Sequence, residues 1–479
     1  LLGSALSVEG ALAGHVFLVR PPFSFCTSSL PAPGAALELS AEAALFPSPP
    51  APSDMALINS TYLSGFTSID TLAAVGEGQN MLVVDPGHEH LGLGGIGLDN
   101  GGVLEAEWDG TNPDPDPAGN VERYLTLRRT IARLTSEARG GKSCVLKITG
   151  ADVLESVWEY TEGVIRELRG KNPEYDKFTK DEVRMSDHTE KEASSSEKRA
   201  FYSSVLQYAA NFNEAAGAGA LTIIMKVSPP ELSSGGGGAS LSLADFPATE
   251  YGSKIRDRIK VLLDKGIPIT PEVLKKLDIP LPDSGDERTQ TATLLVDTLK
   301  SLSDGHITLR PDPSIPFSPP LDVTDSLCRI GLGADIASRS ASLAATKLGA
   351  SRLRVTMCQD RDALPGQSTP EATRVKAAMM QRKKERRSLA ETCFRLACVQ
   401  VQEIDVDVDE CDEIMRELYD VARKEGGFTD LFRSIDETRD IDEEDAAELV
   451  RWIREQMSLL DVLDAEFGRV AQEEANAKG

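Results

Sequence analysis

The chain has 479 residues and a formal net charge of −25, and 41% of its residues are hydrophobic but only 5% aromatic. This length allows two to four domains, whereas the excess of acid disfavours a nucleic-acid partner, because phosphates favour a basic protein surface. The seven cysteines are sparse and lack a CxxC pair, which indicates reduced thiols and no disulfide framework.

The two ends of the chain indicate a piece of a longer protein. The sequence begins at Leu1 without a methionine, and its last helical pattern ends on Lys478 and Gly479. A glycine commonly caps a helix that leads into a further element. We therefore expect the function to belong to a longer protein, of which this piece is inactive alone.

Composition and periodicity divide the chain into five segments. The boundaries are predicted at 1–55 (leader-like and disordered), 56–170 (α/β), 171–324 (low-complexity linker with a partial α/β segment), 325–400 (a helix–strand unit) and 401–479 (acidic and helical). The predicted elements are helices over 55–66, 120–139, 152–170 and 325–347, and strands over 143–149, 220–225 and 352–357.

Two of these segments contain a similar unit. In residues 120–149 and again in 325–356, a long helix is followed by a glycine and by a strand that ends with a basic, an aliphatic and a threonine residue. A partial duplication, an expanded insertion and chance are the open explanations.

The acidic end of the chain resembles a pair of EF-hands with damaged ligand sets. Residues 401–479 contain 25 Asp and Glu against 9 Lys and Arg, and Arg439 stands where an EF-hand has its loop glycine. When Ile441 is set at loop position 8, positions 3, 5, 7 and 12 fall on Asp436, Thr438, Asp440 and Asp445. The pattern predicts weak calcium binding or none, and a plain acidic helical hairpin is the alternative.

Three further patterns are weaker. His88 and His90 could hold zinc, but a turn with solvated histidines is the favoured interpretation. The glycines of residues 92–97 lack the spacing of a phosphate loop and are interpreted as a turn. The basic run 382–387 is predicted to lie in a helix, either as a solvated face or as a partner for the acidic end.

Several segments, taken in order, resemble the amino-terminal part of mitochondrial proline dehydrogenases. The resembling segments are residues 61–66 (an aromatic helix end), 93–99 with 105–107 (a glycine-rich segment), 120–149 (a helix and the first barrel strand), 405–458 (an EF-like insertion) and 459–479 (the helix before the next barrel strand). The match covers three blocks and leaves much of residues 171–400 unexplained.

The resemblance implies an α/β, helix-rich chain that is an incomplete portion of a (β/α)8 barrel flavoenzyme, with an EF-hand-like insertion and long disordered linkers. The whole mitochondrial enzyme would bind FAD, oxidise L-proline to pyrroline-5-carboxylate and pass electrons toward quinone.

By the same resemblance, Lys147 matches the family's active-site lysine near the end of the first barrel strand. A lysine that reaches solvent from a strand edge is the alternative for this residue. For the whole chain, the alternatives are a non-catalytic calcium-responsive or interaction module and a divergent pseudo-enzyme.

Overall fold

The computed structural model describes residues 48–58, 60–86, 91, 93, 97, 103–171, 186–229, 253–264, 287–310, 319–329, 348, 350–362, 368–382, 385–404, 406–424 and 427–459. Its strands are β1 (Thr61–Tyr62), β2 (Val75–Gly76), β3 (Asn80–Val84), β4 (Leu104–Asp109), β5 (Ser143–Thr149), β6 (Ala210–Asn211), β7 (Ala220–Val227), β8 (Gly305–Thr308) and β9 (Leu327–Cys328).

The helices of the described residues follow the same numbering. They are α1 (Thr67–Leu72), α2 (Pro117–Arg139), α3 (Asp152–Lys171), α4 (Ser186–Leu206), α5 (Ser253–Asp264), α6 (Glu287–Leu302), α7 (Ala350–Asp362), α8 (Pro370–Met379), α9 (Leu389–Val399), α10 (Val408–Lys424), α11 (Thr429–Thr438) and α12 (443–459). None of them is long and apolar enough to cross a membrane.

One mixed sheet organises the fold. Its strands lie in the order β4-β5-β7-β3-β8-β9, with β6 beside β7. The five strands from β4 to β8 in this order are parallel, and β6 and β9 pair in the antiparallel sense. The central strands β3 and β7 are buried along their whole length, which explains their near-continuous apolar sequences.

The α/β class is confirmed, but the strand order differs from that of a barrel. In a (β/α)8 barrel, each strand lies beside the next one in the chain. Here β3 lies between β7 and β8, and the described sheet is open, with β4 at one end of the order. Apolar periodicity predicts that a strand exists but does not say which strand becomes its neighbour, so the sequence did not reveal this order.

Helices cover both faces of the sheet. Leu82 and Val84 of β3 pack on the first face with helices α2, α3, α4 and α6. Met81 and Val83 of the same strand pack on the second face with helix α1 and the carboxyl-terminal helices α7 to α12. Alternate side chains of one strand thus supply two cores, and the fold has three layers.

The elements predicted from strong apolar patterns are confirmed. The helix at 120–139 is α2, the strand at 143–149 is β5, the helix at 152–170 is α3, and the strand at 220–225 is the first part of β7. Asp116 caps α2 by accepting from the backbone N–H of Ala118 at 3.0 Å, with Pro117 as the first helical residue.

Other predicted elements are wrong. The strand at 352–357 lies inside helix α7, because Leu353 and Met357, four residues apart, are buried on one helix face while Val355 is 56% exposed. The internal repeat therefore loses its second strand. The described residues of the range 55–66 contain the short strand β1 and no helix, and residues 186–200, expected in a linker, belong to α4.

The basic run also differs from its prediction, because its described residues lie between α8 and α9 and not in a helix. The side chain of Arg387 is fully buried and lies 3.9 Å from Asp412 of α10, so the interpretation as a partner for the acidic end holds for this residue. The helix predicted over 325–347 is wrong at its start, because Leu327 and Cys328 form β9, which pairs with β8 in the antiparallel sense. Its remaining residues, 330–347, lie outside the described residues, as do the predictions for 1–47, for His88 and His90 and for 460–479.

Candidate functional site

The carboxyl ends of the parallel strands lie at one edge of the sheet, and the chain reverses direction there. After β3 the chain returns across the sheet to β4, whereas after β7 it continues the other way to β8. Open α/β sheets bind ligands outside the carboxyl ends of the strands at such a reversal. The edge beside β7 and β3 is therefore the first place to look for a site.

A small open cavity lies beside this reversal, between the ends of β7 and its other neighbour β5; we call it the edge cavity. Its volume is about 90 Å³. It is lined by Thr111, Thr149, Gly150, Ala151, Asp152, Val227, Ser228, Pro229, Leu295 and Val296. The strand ends and the turns that follow them supply the polar wall, and α6 supplies the apolar wall.

The turn from β5 into α3 forms the floor of the edge cavity. Gly150 has φ +78°, and a Cβ at this position would lie 2.6 Å from Cγ2 of Thr111, so the turn requires glycine. The backbone N–H of Gly150 donates to the carbonyl of Lys226 at 2.7 Å, which fixes the turn against β7. Helix α3 begins two residues later, and the positive end of its dipole lies at the cavity.

The loop from β4 into α2 forms a second wall. The carboxylate of Asp109 accepts hydrogen bonds from the backbone N–H of Thr111 at 2.9 Å and from its hydroxyl at 2.7 Å. Burial raises the pKa of Asp109, but the hydrogen bonds from Thr111 and the charge of Arg123 outweigh burial and leave this pKa lowered. The loop therefore holds an ionised carboxylate near the cavity.

Buried lysines lie on the second face of the sheet, on neighbouring strands. Lys147 of β5 places its Nζ 2.6 Å from Oε2 of Glu105, and the hydroxyl of Tyr62 donates to Oε1 of the same carboxylate at 2.9 Å. Burial and the charge of Glu105 raise the pKa of Tyr62. The Lys147 side chain is only 1% exposed, so the alternative of a lysine that reaches solvent is wrong.

The second buried lysine, Lys226, was not identified from the sequence. Nζ of Lys226 in β7 lies 2.7 Å from Oδ2 of Asp85, which follows β3, and it donates to the carbonyl of Leu91 at 2.6 Å. The backbone N–H of Leu91 donates back to Asp85 at 3.1 Å. A lone lysine near the end of the apolar run 220–227 was the available signal, since such a charge requires a partner.

The four residues predicted to bind calcium lie in the carboxyl-terminal helices. Asp436 and Thr438 belong to α11, Asp440 lies in the short connection, and Asp445 belongs to α12. Asp436 accepts from the backbone N–H of Ala390 at 2.9 Å, at the start of α9. The residues assigned to loop positions 1 to 5 are thus helical, which a twelve-residue EF-hand loop does not allow.

Arg439, which stands where an EF-hand has its loop glycine, ends α11 in a left-handed conformation with φ +58°. Its guanidinium donates to the Thr61 carbonyl at 3.1 Å and to Glu77 at 2.7 Å, so the helix end is tied to β1 and β2. Within the described part of the chain, no group of three or more His, Cys, Asp or Glu side chains is placed to hold a metal ion.

No protein-family model matches this chain, and no curated protein matches it either. The case for a function therefore depends on the geometry of the edge. Lys147 and the edge cavity lie near the same strand end but on different faces of the sheet, and the predicted calcium ligands belong to the helical layer.

Proposed function

We propose that the protein binds a small molecule through an anionic group, a phosphate or a carboxylate, at the edge cavity. The observation that carries this proposal is the Gly150 turn, which opens the start of α3 into a cavity at the carboxyl ends of β5 and β7. A glycine turn between a parallel strand and a helix is a common anion-binding arrangement, because the backbone approaches closely and the helix dipole favours negative charge.

The size of the edge cavity supports a small group. Its volume of about 90 Å³ leaves room for a small group. A tetrahedral phosphate or a carboxylate is of this order, whereas sites that enclose a whole drug-sized molecule measure about 300–1,000 Å³. We expect the rest of the ligand to extend outward past the apolar wall of Leu295 and Val296.

The chemistry of the lining sets the strength of binding. Thr149 and Ser228, which line the cavity, carry hydroxyls and backbone N–H groups that can donate hydrogen bonds, and the start of α3 is equivalent to about half a positive charge. Asp152 opposes them, because its exposed carboxylate belongs to the first turn of α3. Binding of bare phosphate is therefore expected to be weak but measurable at low salt, and stronger for a ligand whose remainder packs on the apolar wall.

Blocking the cavity tests the proposal. In Ser228→Phe, a ring added from a half-exposed position is expected to fill the edge cavity and abolish phosphate binding, measured by isothermal titration of the full chain at low salt. Ser136→Phe is the matched control, because Ser136 is exposed on α2, at the opposite end of that helix from the β4–α2 loop. Equal phosphate binding by both variants would refute the site.

Removing the opposing negative charge of Asp152 tests the sign of the ligand's charge. Asp152→Asn keeps the size of the side chain and removes one negative charge from the cavity mouth. We expect phosphate affinity to rise by about three- to tenfold at low ionic strength, as expected for one exposed charge nearby. A cationic ligand would show the reverse change, so the same variant separates the two classes.

Flavin-dependent oxidation of L-proline stays a prediction, and the strand order of the sheet does not favour it. Lys147 lies buried beside Glu105, where a lysine can tune a neighbouring carboxylate, as the resemblance implies. The visible absorption of bound FAD and proline-dependent reduction of a dye by the longer natural protein would support it. Weak calcium binding at Asp436 and its neighbours likewise stays a prediction, to be tested by calcium titration followed by helicity.

A further inference from the structure

We infer that Arg123 is a positioning residue for the edge cavity, which orders its Thr111 wall and sets the positive field that an anionic ligand meets. This inference rests on the proposed function. Arg123 lies near the start of α2 and does not itself line the cavity. Its influence passes through the β4–α2 loop, whose Thr111 does line it.

The guanidinium of Arg123 donates hydrogen bonds to three backbone carbonyls between β4 and α2. One terminal nitrogen donates to the carbonyl of Asn112 at 2.8 Å, and the other donates to the carbonyls of Asp109 at 2.7 Å and Thr111 at 2.9 Å. The planar fork of arginine allows such multiple contacts, whereas the single ammonium of lysine cannot match their directions.

The loop needs this support because its backbone is unusual. Asn112 has φ +50°, which is uncommon outside glycine, and Gly110 lies so close to Trp108 that a Cβ there would meet its ring at 2.4 Å. The ring nitrogen of Trp108 in turn donates to the carbonyl of Arg123 at 3.1 Å. The side chain of Arg123 thus contacts the loop, and its backbone carbonyl contacts Trp108 near the end of β4.

Arg123 also changes the charge balance at the cavity. Asp109 and Asp152 place two carboxylates around it, and the described loop residues Asp114 and Asp116 add two more nearby. Arg123 is the cation whose guanidinium contacts this loop, and its charge acts directly on Asp109. Without Arg123, an anionic ligand would meet these carboxylates with one positive charge fewer to offset them.

The test compares variants of two arginines on the same helix by phosphate titration of the full chain at low salt. Arg123→Gln is expected to weaken phosphate binding about tenfold, because both the nearby positive charge and the order of the Thr111 wall are lost. Arg123→Lys, which keeps the charge but not the fork, should weaken binding by about threefold. Arg133→Gln is the matched control, because Arg133 is exposed on α2 and has no hydrogen bond to this loop; its binding should stay within twofold.

A second readout separates positioning from charge alone and needs no ligand. The Thr111 N–H, which donates to Asp109, should exchange with solvent faster in both Arg123 variants but not in Arg133→Gln. Unchanged exchange in the Arg123 variants would overturn the positioning role. Equal phosphate binding by Arg123→Gln and Arg133→Gln would overturn the inference while the proposed function stands. Failure of the unaltered protein to bind phosphate would instead overturn the proposed function and, with it, this inference.

Discussion

At the scale of single residues, two buried lysines differ in the exposure of their carboxylate partners. Lys147 pairs with Glu105, whose side chain is 37% exposed on β4, whereas Lys226 pairs with Asp85, whose side chain is 0% exposed. An ion pair in the interior contributes little net stability, but removal of one partner is costly when the other charge stays buried. The two lysines are therefore expected to respond differently to the same substitution.

We predict that Lys226→Met lowers the free energy of unfolding by about 3–5 kcal/mol, because Asp85 is left buried without its cation. Lys147→Met should change it by less than about 1.5 kcal/mol, because water can solvate Glu105. Each lysine is the control for the other, and urea unfolding curves measure both. Equal losses for the two variants would contradict the argument from partner exposure.

A buried carboxylate in α1 predicts the pH dependence of stability. Asp70 is 5% exposed and accepts from the backbone N–H groups of Ser64 at 2.8 Å and Gly65 at 3.0 Å. Burial raises its pKa to about 6, although those hydrogen bonds and the charge of Arg386 oppose this. The folded protein then keeps a proton between pH 3.8 and about 6 that the unfolded chain has lost.

The contribution of Asp70 to the free energy of unfolding therefore falls by roughly 3 kcal/mol as pH rises from about 4 to about 6, and it is constant above that range. We predict that Asp70→Asn costs less stability at pH 7 than at pH 4.5, as measured by urea unfolding at both values. Asp109→Asn is the control, because its lowered pKa confines its pH dependence to values below 3.8. Parallel behaviour of the two variants would contradict the assignment to Asp70.

At the scale of elements, the sequence was informative where one pattern had one interpretation. The run from Ser143 to Thr149 and the run from Ala220 to Val227 are largely apolar and short, and both are interior strands. Residues 352–357 alternate as a strand would, yet the same apolar residues also satisfy helical spacing. Tertiary packing of Leu353 and Met357 decides between the two, and the sequence does not contain that information.

The candidate site was only partly predictable for a related reason. Lys147 was identified through a family resemblance, and its burial in β5 follows from the apolar run around it. The edge cavity depends on β5 lying beside β7, two strands that are separated by 70 residues in the chain. The roles of Gly150 and Arg123 follow from that pairing and from the loop it supports, so no local pattern could identify them.

At the scale of the whole molecule, the acidic carboxyl-terminal helices share a core with the sheet. They pack on the second face of the sheet in one core that joins Val145 and Ile224 with Phe394 and Met415. Charged side chains also connect these helices, since Arg395 of α9 donates to Asp412 of α10 at 2.7 Å. Arg387 donates to Ala378 at 2.9 Å and to Thr67 of α1 at 3.3 Å.

This arrangement predicts the effect of removing the acidic end. A chain that stops at residue 400 loses α10 to α12, exposes the second core and leaves Arg395 buried without Asp412, so we expect no cooperative unfolding transition and a weak near-ultraviolet circular dichroism signal. A chain that stops at residue 459 is the control, because it keeps every contact named above. An EF-hand-like insertion would be dispensable, so a cooperative transition in the shorter chain would favour that architecture over the shared core.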